Sequence, residues 1–526
     1  MGKKIVKNAP LFLLIIAGLF YRLCGLGANY SFWTDENHVA IFARAILERG
    51  KPVLVNGYHT GAYQWLLYWF MAFSMKIFGI NEFAARFPSV VFGVLTIFVI
   101  YLLGKRVFGK KVGIIAAFLI AFLNIEILFS RQARPYQILQ FFYVLGAYFV
   151  VQISNFKFQI SNKLQITKKS ENQELRKQEI RNWIKFLGCG IIASLFHGLG
   201  IVIFFNGLLY ILTTNLNLLR KKWRWVIPLV LSLLVFSYIF KVQLFSVFSQ
   251  IGKIDNLFYY RVLLTHNYLP LTLLAGLGGL FLLKKQAHKK LLLFAIFLGT
   301  QSFIVSFLLS QPFTRYFYPI FPFIILLASY GLIELSQLFS SLVSQSIFQP
   351  RRHVGANFPI SLIFLLILVF TITLQNKIAI VPQKMYSLNA DMQEIPEVDW
   401  KKIYHFVNEK LDKNPKAILV VNWNDLPIWY LGENTNNLYL AREKGNRKYN
   451  VDPVSGAKMI YSLRELENLI KENPIGIAVF DSWDNYILDG AREYAQKNFK
   501  KELEIDRLYP IQPRYWPVSV YSWGME

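Results

Sequence analysis

Two adjacent carboxylates, Asp35 and Glu36, stand in the stretch Phe32-Trp33-Thr34-Asp35-Glu36-Asn37-His38, just after the first apolar segment of the chain. Ionisable groups beside apolar segments are costly and tend to be functional. A carboxylate held at a bilayer surface can serve as a general base. The plainer reading is that acids favour the first turn of a helix. The spacing supports a helix here: Val39, Phe42, Ile46 and Leu47 fall on one apolar face, and Thr34 stands where a cap would be. The pair therefore opens a helix lying on a membrane surface.

Arginines form the second group. Arg131 and Arg134 are three residues apart and directly precede an apolar helix, and Arg315-Tyr316 sits in a short turn between two others. Guanidinium groups bind phosphate in bidentate fashion; the alternative is snorkelling to lipid head groups. His38, His59, His197 (between Phe196 and Gly198) and Glu126 complete the candidate set, while His266 reads as ordinary.

The elements that hold these residues are those of an integral membrane protein. The chain has 526 residues, is 54% hydrophobic and 16% aromatic, and has a mean hydropathy of +0.36. Soluble domains do not have this composition. The formal charge is +26, but Lys and Arg cluster in short loops between apolar runs. That is the positive-inside pattern and not a nucleic-acid footprint.

Lys3, Lys4 and Lys7 place the N-terminus inside, and the run from Pro10 to about Leu26 reads as a retained first helix, with no clean cleavage site. Asp35-Glu36 is then outside, in a first outer loop covering 27–83. The run 62–79 reads as interfacial, because a crossing there would put Lys105-Arg106, Lys110-Lys111 and the Lys-rich stretch 157–181 outside. Its Tyr63, Trp65, Tyr68 and Trp69 suit that depth. Helices at about 84–104, 111–128 and 136–152 follow, and then a charged inside loop, 153–182, expected to be flexible. The run 183–214 splits near His197-Gly198 into two short helices. Helix 225–242 leads to an outer loop, 243–267. Two helices on either side of Lys284-Lys285 bring the chain to the outer turn 311–316, a tenth helix returns it to Arg351-Arg352 inside, and an eleventh, 359–376, exits. On this threading Asp35, Glu36, His38, His59, Glu126, Arg131, Arg134, His197 and Arg315 share the outer face.

The tail, 377–526, is polar with short alternating elements. Ala417–Val421, Gly476–Phe480 and Pro517–Tyr521 read as strands, and Ser462–Glu472 and Asn485–Asn498 as helices. A small extracytoplasmic α/β domain is expected. It carries no glycine-rich dinucleotide or phosphate loop, and Asp481 and Asp484 read as ordinary surface acids. Cys24 and Cys189 give neither a disulfide framework nor a metal spacing. No cofactor is demanded: the first outer loop has no Asp-x-Asp and no His/Cys cluster, though a divalent cation beside Asp35-Glu36 stays open.

A base and several phosphate-binding cations on one face point to a reaction. A lipid phosphate lies at that depth, and an activated sugar outside the cell must arrive on a lipid carrier. The carboxylate would take a proton from an acceptor hydroxyl, which attacks the anomeric carbon. The arginines would stabilise the departing lipid phosphate.

Four stretches carry a family resemblance: Asp35-Glu36 after the first helix, Phe78 to Pro88 (Phe-Gly-x-x-Glu-Phe-Ala-Ala-Arg-Phe-Pro), Ser130 to Tyr136 (Ser-Arg-x-Ala-Arg-x-Tyr), and Arg315-Tyr316 followed by prolines. Together they resemble the GT-C glycosyltransferases, in the group of protein O-mannosyltransferases, lipid A aminoarabinose transferases and bacterial glycosyltransferase family 39-like proteins. The likeness covers about 1–340. It implies a GT-C transmembrane catalytic domain over 1–376, a polyprenyl-phosphate-linked sugar donor, inverting transfer, and a place in the plasma membrane serving the cell envelope. It implies Asp35 as base with Glu36 in support, and Arg131, Arg134, Arg315 and His59 toward the donor phosphate. Tyr136, His197 and Tyr316 are the remaining substrate-binding candidates. The chain departs from relatives at His59-Thr60-Gly61-Ala62-Tyr63, where a Pro-Pro pair often follows the basic residue. The acceptor, whether glycan, lipid or protein, is not set by these residues. Two other readings remain. A lipid or solute transporter would usually show repeats and midplane charges, which are not seen here. A scaffold presenting the tail leaves the group around Asp35 unexplained.

Overall fold

The computed structural model describes residues 2–27, 31–32, 34–60, 64–163, 169–214, 254–347, 398–433, 437–442, 450–481, 487–506 and 517–525, with isolated positions between 363 and 382. The chain divides into two compact units: Met1–Cys24, Ser89–Ser130 and Pro135–Gln383 form the first, and Gly25–Pro88, Arg131–Arg134 and Lys384–Glu526 the second.

The first unit is helical. Among the described residues, the helices long and apolar enough to cross a membrane are Glu82–Val107, Tyr136–Ser154, His288–Phe307 and Thr314–Leu342; the first begins in the second unit. Leu257–Asn267 and Leu269–Lys284 meet the same test as a pair bent by 100°. Small residues allow close packing. A Cβ on Gly278 would clash with the carbonyl oxygen of Leu327, and one on Gly331 with that of Leu274. The helices 269–284 and 321–347 thus meet backbone to backbone.

Two expectations need correction here. The helix expected at 111–128 is broken: Lys110–Phe122 ends at an extended Leu123, and Asn124–Ser130 follows. Leu123 pairs with Ile378 in a short bridge, and Phe122 O accepts from Ala379 N at 2.9 Å. A long-range backbone pairing thus interrupts an apolar run whose composition shows no breaker. The stretch 153–182, expected as a flexible loop, is helical at its described residues, 153–163 and 169–182. The helix Tyr136–Lys163 continues into it, and Lys169–Phe196 begins inside it. Its Lys, Glu and Gln residues are good helix formers, so polarity ends the apolar span without ending the helix. The break expected near His197-Gly198 is present, with His197 extended between that helix and Ile201–Thr214. The expected helix 225–242, most of 359–376, and Arg351-Arg352 lie outside the described residues.

The second unit joins the loop after the first helix to the tail. Helix Thr34–Arg49 buries Val39, Phe42 and Ile46, with Leu47 half-buried. Its Phe42 stacks on Tyr68 of helix Trp65–Phe78, with ring centroids 5.2 Å apart. The latter helix has 14 residues, hence is ~21 Å long and short of the ~30 Å hydrocarbon core.

The tail is a six-stranded sheet in the order β3-β2-β1-β4-β6-β5, with β1 Ile418–Val421, β2 Leu438–Ala441, β3 Lys458–Ile460, β4 Gly476–Asp481, β5 Lys500–Ile505 and β6 Val518–Trp523. The first four are parallel, with Val420 opposite both Tyr439 and Ala478; β6 and β5 are antiparallel. Leu419 and Val421 face one core with Trp400, Ile403, Tyr404 and Val407 of helix Trp400–Lys413. Ile418 and Val420 face another, with Leu466, Ala491 and Ala495. Burial on both faces is why β1 reads as an unbroken apolar run. Helix Leu463–Glu472 is capped by Ser462, which accepts from Glu465 N, while Glu465 accepts from Tyr461 N. The helix expected from Asn485 begins at Ala491 among the described residues.

Loop and tail are tied by polar contacts within this unit. Ser31 Oγ donates to Val398 O at 2.9 Å, Lys401 pairs with Glu82 at 2.8 Å, and Arg49 pairs with Glu433 at 2.6 Å.

Candidate active site

The first turn of helix Thr34–Arg49 gives its two acids different surroundings. Glu36 is buried, and Arg86 meets it side-on: Nε donates to Oε1 and Nη2 to Oε2, both at 2.8 Å. Ala133 N also donates to Oε1 at 2.7 Å. The rest of the Arg86 fork reaches Leu26 O and Ser31 O, and its guanidinium lies 5.1 Å from the Phe32 ring. Glu36 therefore anchors three chain segments: the end of the first apolar segment, the start of helix Glu82–Val107, and the short loop 131–134.

Asp35 is 31% exposed and pairs with Arg134 Nη2 at 3.0 Å. Arg134 Nη1 also donates to the Asp35 carbonyl at 2.9 Å, which fixes the guanidinium on the helix start. One turn on, His38 Nδ1 lies 3.8 Å from Oδ2 of Asp425, at the start of helix Leu426–Leu431 after β1. Burial lowers the His38 pKa, Arg134 lowers it further, and Asp35 works against this. Burial raises Asp425 to about 7, opposed by a backbone hydrogen bond and Arg442 and assisted by the charges of Asp35 and Asp452. A half-exposed carboxylate beside a fixed guanidinium can accept a proton and leave a neighbouring anion compensated.

The other candidates divide between the units. Arg131 is buried in the second unit, and His59 is exposed there. In the first unit, Tyr136, His197 and Tyr316 form a ring cluster with centroids 5.4, 6.1 and 6.4 Å apart. Arg315 sits beside it, its guanidinium 3.8 Å from the Phe313 ring and 5.5 Å from that of Tyr316. Gln301 holds this turn by donating to Tyr316 O at 2.9 Å and accepting from Tyr143 Oη at 2.8 Å. Glu126 is fully buried in the same unit, within hydrogen-bond reach of Tyr318 Oη at 2.9 Å and Gln140 Nε2 at 3.1 Å. It is a core network residue.

Sequence reasoning missed Arg86 as the partner of Glu36, although it noticed the stretch that contains it. It missed Asp425 altogether, because no local pattern marks a tail residue that meets a loop histidine 387 positions earlier. Asp481, expected as a surface acid, is buried at the end of β4 and accepts from Trp423 Nε1 at 3.1 Å; Asn422 accepts from its backbone N at 3.1 Å. Asp484 lies outside the described residues. Among those residues, no three His, Cys, Asp or Glu side chains gather as a metal site.

The architecture is that of the GT-C membrane glycosyltransferases. Over 98% of both chains the structure is similar to apo ArnT from Cupriavidus metallidurans, with a TM-score of 0.58 at 14% identity. ArnT from the same organism bound to undecaprenyl phosphate gives 0.58 at 15%. The Archaeoglobus fulgidus oligosaccharyltransferase in its apo form gives 0.57 at 14%, over 91% of this chain and 70% of that one. In sequence, residues 65–160 match the family described as dolichyl-phosphate-mannose-protein mannosyltransferase. An uncharacterized protein of Aquifex aeolicus (strain VF5) is 34% identical over 140 residues, which is 26% of this chain and 28% of that relative. The protein thus has the GT-C fold seen in ArnT, as the motifs around Asp35 and Ser130–Tyr136 led one to expect, and its residues 65–160 carry the mannosyltransferase-family match.

Proposed function

We propose that this protein is a membrane glycosyltransferase that moves a sugar from a polyprenyl-phosphate carrier to a hydroxyl acceptor at the outer face of the plasma membrane, with inversion. The observation that carries this reading is the first turn of helix Thr34–Arg49. There Asp35 stays half-exposed beside Arg134, while Glu36 is locked away on Arg86. Asp35 takes the acceptor proton as the hydroxyl oxygen attacks the anomeric carbon. The bond from that carbon to phosphate oxygen breaks, and the electron pair leaves with the lipid phosphate. Arg134, Arg131, Arg315 and His59 are assigned to that phosphate, where charge develops. Tyr136, His197 and Tyr316 are assigned to the remainder of the substrate. Glu36 supports the site by holding the loop 131–134.

The carrier class is supported by similar structures: ArnT was solved with undecaprenyl phosphate, and the archaeal enzyme AglB with a dolichol-phosphate and an inhibitory peptide. The positive-inside bias supports a cytoplasmic N-terminus and an outer tail. No metal is required in this scheme, since all charge compensation is assigned to arginine and histidine.

The test gives the purified protein a panel of polyprenyl-phosphate sugars with envelope glycan, lipid and peptide acceptors. Wild type is expected to release polyprenyl phosphate from one donor, with Asp35→Asn folded and silent. Equal release by Asp35→Asn would remove Asp35 as base. No release from any donor, even with membrane extract added, would overturn the transferase reading.

A further inference from the structure

Asp35 and His38 are three residues apart on helix Thr34–Arg49, so their side chains share a face. Asp425, contributed by the tail, has its Oδ2 3.8 Å from His38 Nδ1, within ion-pair range and longer than a hydrogen bond. Asp425 is 5% exposed, and its Oδ1 has no hydrogen-bond partner among the described residues. A carboxylate on the Nδ1 side of an imidazole favours the tautomer with its proton on Nδ1, with the Nε2 lone pair as acceptor. The geometry follows the logic of an acid that orients a histidine, assembled here from a membrane loop and an outer α/β domain.

The charges around the pair are mixed. His38 feels Arg134, Asp35 and Asp425, and Asp425 feels Arg442, Asp35, Asp452 and the nearby Tyr404 phenol. Burial moves the two members toward each other, raising the acid and lowering the base.

We propose that His38, oriented by Asp425, receives the acceptor proton from Asp35 and holds it until product leaves. This rests on Asp35 being the base of the proposed transfer. The acceptor O–H bond breaks, and its electron pair forms the new glycosidic bond. The proton passes to the Asp35 carboxylate and then to His38 Nε2, while Asp425 compensates the imidazolium. Release to water restores neutral His38. Asp425 is thereby a positioning residue, and the tail is part of the proton-handling apparatus.

Nitrogen-15 histidine NMR in micelles tests this without turnover, with His38→Gln identifying the resonance among the seven histidines. Wild-type His38 is expected as the Nδ1–H tautomer. Its titration midpoint is expected to fall by roughly half a pH unit or more in Asp425→Asn and in Asp35→Asn, since each removes an anion that favours imidazolium. Asp425→Glu should restore it in part. An Nε2–H tautomer in wild type, or a midpoint unmoved by Asp425→Asn in a folded protein, would overturn the dyad. With the donor that wild type accepts in the panel, His38→Gln should lower kcat about tenfold or more and leave donor KM unchanged. An unchanged kcat would overturn the relay. Failure of the transferase reading would appear separately, as no donor accepted by wild type.

Discussion

Asp35 and Glu36 are adjacent on one helix turn and carry the same functional group, yet the structure uses them in opposite ways. Glu36 is 1% exposed and receives three hydrogen bonds from Arg86 and Ala133; Asp35 is 31% exposed and shares the Arg134 guanidinium with its own backbone carbonyl. A helix advances about 100° per residue, so neighbours face different surroundings. The buried acid accepts from three donors and is closed off from solvent. The half-exposed acid remains in reach of solvent. An acid next to an acid is therefore best read as a support and a reagent, not as a catalytic pair.

The largest expected effect is on the reagent. Asp35→Asn should lower transfer by about 10²–10⁴-fold, the usual range for a lost general base. Its melting temperature should hardly move, because a partly exposed ion pair contributes about 1 kcal/mol or less. Release of polyprenyl phosphate and a thermal melt on one preparation check both halves. The support should behave in reverse. Arg86→Met leaves Glu36 charged and uncompensated in the interior, which costs about 3–5 kcal/mol. Arg86→Met with Glu36→Leu should recover much of that stability. If the double variant melts no higher than the single one, Glu36 is not held by this pair.

Arg134 lies on the boundary between the two cases. Arg134→Ala should raise apparent donor KM by about 10–100-fold, the size of one lost charged hydrogen-bonding group, and change acceptor KM less. Donor KM unchanged by the substitution would remove Arg134 from phosphate binding.

The smallest effect concerns Asp425. Its folded-state pKa of about 7 is above its ordinary value of 3.8, so between these values the folded state binds the proton that the unfolded chain has released. The unfolded state then holds fewer protons, and stability falls as pH rises from about 4 to about 7. At most this is one proton, or ~1.4 kcal/mol per pH unit. Asp425→Asn should flatten that part of a denaturation-versus-pH curve, and an unchanged slope would count against the burial of this charge.

Much of the fold was legible because it rests on local signals. Hydropathy and loop charge gave a multi-spanning helical protein, and a polar histidine beside glycine gave the break at 197. Apolar runs gave β1 and β4, and apolar residues alternating with Ser519 gave β6. The strands β2, β3 and β5 were not read: the first two are three or four residues long, and β5 is an edge strand carrying Lys500, Lys501, Glu502 and Glu504, whose composition resembles a loop. The helical character of 153–163 and 169–182 was missed because polarity was taken as irregularity. The break at Leu123 depends on a partner 255 residues away.

By itself, then, the sequence determined the class of protein, the candidate carboxylates and arginines, and the GT-C resemblance, because each is written in residue type and short-range spacing. Only the tertiary structure decided which of the two acids is consumed by the fold, that Arg86 consumes it, and that the tail brings Asp425 to His38. Those outcomes depend on contacts between segments 50 to 387 residues apart. Burial, which sets whether a carboxylate is a strut or a base, is a property of the packed chain and not of any stretch of it.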